Sequence, residues 1–288
     1  MFYLQTLTLN MKPEDLDHKD VLGIEVTMPE FAEKCNLGNI DHHGKDSTLE
    51  MPAACEQSLS FPIDKLSCGS TLFTTKPDID SVTAMAVICS RFIGRKIDAT
   101  LVRKVGLLDR FGSRSKVKDY RLLAMAKRCS DITIPLEERV RWVQNIFEHK
   151  IGKEEITRII KQRLQDYKEA KEESDENIKV FGEENNIALV ISTKRWGMGR
   201  GYKKAPITVA YNPEHPLPDN SGVISHYTIG QRYGYNRLKI RNLLTEIEEY
   251  EDGWNGRENI IGSSQYKSSG LSPMEVISIV ENHIKGSK

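Results

Sequence analysis

The sequence predicts an α/β fold, with a parallel-sheet N-terminal domain and a smaller α/β domain at the C-terminus. Residues 20–27 form a nearly continuous apolar run, which is typical of a strand buried in a parallel sheet. Residues 70–75 indicate a second strand, and the helix expected at residues 80–93 follows it with an apolar stripe on one face. Strands alternating with helices in this way favour a parallel sheet.

Shorter patterns predict the other elements of the N-terminal domain. A strand is expected at residues 2–9, a helical turn at residues 29–34, and a helix at residues 52–59 with a proline near its first turn. From Lys118 onward the chain becomes helical and strongly charged. Residues 168–176 are a solvated charge run that closes a connector helix.

Strands and helices alternate again in the C-terminal part. Apolar runs flanking a turn predict a hairpin formed by residues 178–181 and 186–192. The remaining predictions are a strand at 207–211, a helix at 238–250, and a helix at 272–285 with Ser272 as N-cap and Pro273 at its first position. The predicted limits are 1–150 for the first domain, 151–177 for the connector and 178–288 for the second domain.

Composition narrows the class of protein. The 41 basic and 41 acidic residues cancel, so a polyanion would have to be bound by a local patch. The five cysteines form no Cys-x-x-Cys pair, which favours a reducing cytoplasm over a disulfide scaffold or a zinc site. Residues 1–10 lack the pattern of a signal peptide, and no apolar run approaches the roughly 20 residues that span a bilayer. A cytoplasmic protein without a membrane partner is expected, and a homodimer stays open.

Two polar clusters carry the candidate chemistry. Asp41, His42 and His43 follow the apolar residues 37–40, and Asp78 and Asp80 lie between the strand at 70–75 and the next helix. Carboxylates and neutral imidazoles are preferred ligands of divalent metals such as manganese. Two such clusters suggest a dinuclear site that hydrolyses a phosphate ester. The alternative for the Asp-His-His triplet is a polar turn.

These clusters resemble the motifs of the DHH phosphoesterase family, which is named after the triplet. The second family motif runs close to Pro-Asp-x-Asp-Ser, as residues 77–81 do here. The family includes RecJ-type exonucleases, oligoribonucleases, cyclic-dinucleotide phosphodiesterases and manganese-dependent pyrophosphatases. It normally places the Asp-x-Asp motif first, so the order here resembles a circular permutation.

The resemblance implies a role for each polar residue and two bound Mn²⁺ ions, with Mg²⁺ as the alternative. Asp78 would hold the first ion, Asp80 the second, and Glu25 would bridge them. His42 and Asp109 would complete the second ion, and His43 would face the substrate phosphate, with Asp41 beside it as a catalytic residue. Glu25 could instead be a solvent-facing acid at a strand end, and Asp109 a cap or turn acid. Thr74 stands where pyrophosphatase-type members carry a histidine ligand.

The C-terminal part offers two candidate substrate-binding segments. Residues 196–204 alternate glycines with cations and aromatic residues, and Arg200 could bind a phosphate there. A flexible hairpin loop is the alternative. Residues 253–263 resemble the glycine-rich signature of the DHH-associated domain without its histidine, and this implies substrate contacts from the residues Arg257, Asn255, Gly256 and Asn259.

The leading functional prediction is a metal-dependent phosphohydrolase that acts on a nucleotide-derived phosphoester. Short single-stranded oligonucleotides, cyclic dinucleotides and phosphorylated nucleosides are the candidate substrates. One alternative is an inorganic pyrophosphatase, although Thr74 disfavours it. The other is a degenerate member that binds nucleotides without cleaving them.

Overall fold

The computed structural model describes residues 2–8, 11–43, 48, 50–184, 186–194, 197–217, 220–232, 234–257 and 259–286, with the backbone alone for Ser113, Arg114 and Arg257. The chain divides into two compact units. The first comprises residues 1–163 and the second residues 164–217 and 221–288. No helix among the described residues is long and apolar enough to cross a membrane.

The first unit is built on a parallel sheet, as predicted, and this sheet has four strands. Its strands are β1 (Tyr3–Thr6), β2 (Val21–Ile24), β3 (Asn39–Ile40) and β4 (Thr71–Thr74). Their spatial order is β1-β4-β2-β3, and every neighbouring pair is parallel. Because parallel strands end at the same edge, the residues that follow β2, β3 and β4 are brought together there.

Helices surround this sheet and bury its central strands. They are α1 (Pro29–Ala32), α2 (Ala54–Ser58), α3 (Ile79–Phe92), α4 (Ala99–Phe111), α5 (Tyr120–Cys129), α6 (Leu136–Phe147) and α7 (Lys153–Glu176), which continues into the second unit. The helix predicted at 80–93 is present as α3. It is buried on nearly all sides instead of along one stripe, because α2, α4 and α6 all pack against it.

The second unit contains a six-stranded mixed sheet. Its strands are β5 (Ile178–Phe181), β6 (Ile187–Ile191), β7 (Ile207–Pro216), β8 (Val223–Gln231), β9 (Asn255–Arg257) and β10 (Ile260–Gly262), in the order β5-β6-β7-β8-β10-β9. The predicted hairpin of β5 and β6 is confirmed. The helices are α8 (Gly197–Gly201), α9 (Ile240–Glu248) and α10 (Pro273–Gly286). Ser272 and Glu275 cap α10 reciprocally, each backbone N–H bonding the other's side chain.

The hairpin-loop alternative for residues 196–204 is wrong. Strands β6 and β7 are parallel, so the segment between them is a crossover, and it contains α8. Trp196 lies outside the described residues. Strand β8 was not predicted, although it pairs with β7 along most of its length.

Candidate metal centre

Glu25 follows β2 at the carboxyl edge of the first sheet and has an unusual backbone conformation. Its φ is +53°, in the left-handed region that a β-carbon disfavours. Two hydrogen bonds hold this backbone in place. The Glu25 N–H donates to the Ile40 carbonyl at 2.9 Å, and Thr75 Oγ1 donates to the Glu25 carbonyl at 3.0 Å. Such strain costs about 1–3 kcal/mol and is concentrated at functional sites. The side chain is buried at 4 % exposure, so the solvent-facing alternative is wrong.

The imidazole of His42 lies at the centre of the cluster. Its Nε2 is 3.1 Å from Glu25 Oε1, 3.0 Å from Asp109 Oδ2 and 3.7 Å from Asp80 Oδ2. The ring is buried. One nitrogen therefore faces three carboxylates that come from different parts of the chain.

His43 forms a separate pair with Asp41. Its Nδ1 lies 2.7 Å from Asp41 Oδ1, and the same oxygen accepts the His43 backbone N–H at 2.9 Å. Nδ1 is also 3.5 Å from Glu25 Oε1. The His43 side chain is 29 % exposed, in contrast to the buried His42, so His43 lies at the border between the cluster and solvent. The following residue, Gly44, lies outside the described part of the chain.

Asp78 and Asp80 occupy different positions at the start of α3. Asp78 is the N-cap, and its Oδ1 accepts the backbone N–H groups of Asp80 and Ser81. Asp80 is fully buried, and its two oxygens accept N–H bonds from Ala54 and Cys55 of α2 at 2.8 and 3.0 Å. Asp80 thus points toward His42, while one oxygen of Asp78 is used to begin the helix.

Asp109 reaches the cluster from a helix. It lies in the last turn of α4, where the sequence showed only an apolar run ending in an acid. The cap or turn alternative is therefore wrong. Its proximity to His42 places the end of α4 against the carboxyl edge of the sheet.

The cluster holds more negative charge than its own cations can balance. Burial, together with Asp78, Asp80, Asp109 and Asp41, raises the pKa of Glu25 well above its usual value. Burial and the neighbouring Asp109 raise the pKa of Asp80 to about 6. Five carboxyl groups face two imidazoles here, so an added divalent cation would relieve their repulsion.

The donor groups fit a metal ion. Ligand atoms of Glu25, His42, Asp80 and Asp109 all lie within 4.8 Å of one another, and those of Glu25, His42 and His43 form a second such group. The two groups share Glu25 and His42. Oxygen and imidazole nitrogen donors in this mixture suit manganese, iron or zinc. Asp78 belongs to neither group, although its charge reaches Glu25.

The structure therefore brings Glu25, Asp41, His42, His43, Asp80 and Asp109 to one place, with Asp78 beside them. Their individual roles stay predictions. Thr74 is buried, and its hydroxyl accepts the Lys76 N–H at 3.3 Å. Two supports were missed: the α2 amides that bind Asp80, and Thr75. Any residue type can donate a backbone N–H, so the sequence does not reveal the amides that bind Asp80. The helix expected at 52–59 was the only sign of them.

Arg200, the phosphate ligand expected in the second unit, has a protein partner instead. Its Nε donates to Asp175 Oδ1 at 2.7 Å, and its Nη2 also bonds that carboxylate. The side chain is 10 % exposed. The pairing with Asp175 raises the pKa of Arg200, so the cation is stabilised where it is. Arg200 thus links α8 to the end of α7, and phosphate binding by its side chain stays a prediction.

The glycine-rich segment forms the hairpin of β9 and β10. Asn255 and Asn259 are exposed on it, and the Arg257 side chain lies outside what the structure describes. Gly256 is required by close packing, because a β-carbon there would lie 2.2 Å from the Ile260 carbonyl oxygen. Gly256 therefore has a structural reason to be glycine.

Two solved structures are similar to this chain over most of its length. One is an exopolyphosphatase-related protein from Bacteroides fragilis, at 12 % identity and a TM-score of 0.43, covering 95 % of this chain and 73 % of that one. The other is a pGpG-specific phosphodiesterase from Vibrio cholerae, at 13 % identity and a TM-score of 0.45, covering 96 % and 90 %. No protein-family model and no curated protein sequence matches the chain. The geometry of the acidic cluster, and not these similarities, supports the function proposed below.

Proposed function

We propose that this chain is a divalent-metal-dependent phosphohydrolase whose active site is the cluster around His42. The carrying observation is the convergence of ligand atoms from Glu25, His42, Asp80 and Asp109 within 4.8 Å. Buried acids at this density are unfavourable without a cation. Metal binding would account for three unfavourable features of Glu25. These are its burial, its repulsion by neighbouring carboxylates and its left-handed backbone.

Mn²⁺ is the ion we assign to this donor set, with Mg²⁺ as the alternative. Glu25 is the candidate bridge between two ions, because its carboxylate contacts His42 and lies near both Asp78 and Asp80. Asp80 and Asp109 would hold one ion together with His42, and Asp78 would complete the other from its position beside Glu25. When bound, such ions activate a water molecule and neutralise the phosphate.

His43 would act on the substrate and not on the metal. The Asp41 carboxylate accepts a hydrogen bond from His43 Nδ1, and this fixes the ring with Nε2 on the side away from Asp41. The partly exposed ring can then donate a proton to the oxygen that leaves the phosphorus. Asp41 would hold the tautomer and stabilise the imidazolium, so the two residues would function as a pair.

The substrate class we propose is a nucleotide-derived phosphoester. Asn255 and Asn259 are exposed amides that can hydrogen-bond a base or sugar, and Arg257 adds a cation to the same hairpin. Inorganic pyrophosphate offers no base or sugar for these amides to recognise. A short oligonucleotide or a linear or cyclic dinucleotide does.

A metal titration with a substrate panel tests the proposal. The protein is treated with chelator, and hydrolysis of bis(p-nitrophenyl) phosphate, pyrophosphate and a linear dinucleotide is followed as Mn²⁺ is added. We expect Mn²⁺-dependent cleavage of the diesters, and fastest cleavage of the dinucleotide. Asp131→Asn is a matched control, because the Asp131 carboxylate bonds Thr133 and pairs with Lys127, and neither residue belongs to the cluster. Tight Mn²⁺ binding without turnover of any ester would favour the non-catalytic alternative, and the absence of Mn²⁺ binding would refute the proposal.

A further inference from the structure

The short helix α2 contacts three of the segments that supply the acidic cluster. Its first amides, from Ala54 and Cys55, bind both oxygens of Asp80. Gln57 Nε2 donates to the Asp41 carbonyl at 3.0 Å and to the Pro52 carbonyl at 2.7 Å. Since Asp41 begins the triplet with His42 and His43, one helix touches two of the cluster's segments directly.

Glu56 connects the same helix to α4, which carries Asp109. Its Oε2 lies 3.0 Å from Arg110 Nη2, and its Oε1 lies 3.2 Å from the same nitrogen. Both side chains are largely buried, at 16 % and 12 % exposure. Arg110 is the neighbour of Asp109 in the chain, so the ion pair fixes the last turn of α4 at the point where its ligand acid emerges.

Gly106 makes this approach feasible. A β-carbon at Gly106 would lie 2.4 Å from the Glu56 carboxyl group, so the missing side chain lets that group lie directly on α4. Gly106 is one turn before Arg110, and the two residues share a face of the helix. Two contacts therefore hold Glu56 against α4: close packing on Gly106 and the ion pair with Arg110.

Glu56 also caps its own helix, because its Oε2 accepts the Ala53 N–H at 3.0 Å. The two functions are separable by substitution. In Glu56→Gln the amide oxygen can keep the cap, while the amide nitrogen no longer compensates Arg110. Arg110 then loses the carboxylate contact that holds it against α2, and the last turn of α4 is held less firmly.

We propose that Glu56 is a positioning residue of the metal centre, which acts through Arg110 to hold Asp109 toward His42. This inference rests on the proposed function, since it needs the cluster to bind a divalent ion. Groups that orient metal ligands typically change metal affinity by about 10- to 100-fold when removed. We therefore expect Glu56→Gln to weaken Mn²⁺ binding by about tenfold or more.

Calorimetric Mn²⁺ titration of the full chain tests the idea in four forms: wild type, Glu56→Gln, Arg110→Met and the double variant. The single variants should lose affinity, and the double variant should lose no more than Arg110→Met alone, because Glu56 acts through Arg110. Turnover of Glu56→Gln should recover toward the wild-type rate at high Mn²⁺, which a misfolded protein would not do. Glu155→Gln is the matched control, a glutamate whose carboxylate accepts one side-chain bond, from Trp142.

The outcomes separate this inference from the function itself. If wild type binds no Mn²⁺, the proposed function falls. If wild type binds Mn²⁺ and Glu56→Gln and Arg110→Met both bind it equally well, the positioning inference is overturned and the function stands. Should Glu56→Gln fail to fold, Arg110→Met decides, because it breaks the same ion pair without touching the capping carboxylate.

Discussion

His42 Nε2 lies 3.0 Å from Asp109 Oδ2, and this contact joins the loop after β3 to the last turn of α4. Strand ends alone could not complete the cluster, because Asp109 comes from a helix. The sheet supplies Glu25, Asp41 and the segment before α3, and α4 closes the group from outside the sheet. The centre is therefore assembled by helix packing as well as by parallel-strand topology.

Asp109→Asn should abolish tight Mn²⁺ binding while preserving the fold. The substitution removes a charge from an acid that is partly exposed, and it scarcely changes volume. We expect affinity to fall at least tenfold and hydrolysis by about 100-fold or more. Calorimetry and initial rates at fixed Mn²⁺ measure both, with Asp131→Asn as the control. Affinity within twofold of wild type would remove Asp109 from the ligand set. Asp80→Asn is a poorer test, because its amide would place N–H groups against a backbone N–H.

His43→Ala and His42→Ala should differ in kind. His43 is partly exposed and paired with Asp41, so its loss should lower kcat by about 10²- to 10⁴-fold and leave Mn²⁺ affinity nearly unchanged. His42 is buried among three carboxylates, so its loss should weaken metal binding first. Paired titrations and rate measurements at saturating Mn²⁺ distinguish the two. Equal losses of affinity would make His43 a ligand as well.

Asp119 predicts a pH dependence of stability that is independent of the metal. Hydrogen bonds from Arg121 hold the pKa of Asp119 far below its usual range, with a further bond from Lys104. A carboxyl with a lowered folded-state pKa stabilises the fold above its unfolded-state pKa, near 4, and this contribution is lost as the pH falls further. Asp119 also caps α5. Urea unfolding should show Asp119→Asn to be less stable at pH 7, with the difference shrinking below pH 4. A constant difference would exclude the ionised form as the cause.

Arg200→Met should lower stability without affecting substrate binding. The Arg200 guanidinium already bonds the Asp175 carboxylate, and removing it leaves that acid without its principal partner. Thermal unfolding of the variant should therefore begin earlier, while KM for a dinucleotide stays within about twofold of wild type. Asp175→Asn should lower the melting temperature similarly. A large rise in KM with an unchanged melting temperature would restore Arg200 as a phosphate ligand.

Local patterns in the sequence were sufficient for three of the four strands of the first sheet and for its principal helix, while β3 was not predicted. The apolar run at 20–27 and the strand before α3 are continuous in the chain, so hydrophobicity alone located β2 and β4. Strand β8 was missed, since its sequence mixes polar and apolar residues.

Partnerships between residues distant in the chain limited what the sequence could predict at the candidate sites. Arg200 looks like an anion ligand until Asp175 is placed against it. The left-handed conformation of Glu25 is fixed by Ile40 and Thr75, which lie on other segments. Residue type predicted which acids to examine, but it could not predict their backbone strain or their neighbours.

The backbone of Glu25 has a bearing on how this chain can change over time. At a left-handed position beside several buried acids, glycine or asparagine would give a more stable fold than glutamate. Selection for stability alone would therefore replace Glu25. A chain that no longer binds a cation could accept that replacement and would gain stability from it. We therefore expect a glutamate at position 25, which lowers the stability of the fold, to persist only while the chain binds a cation.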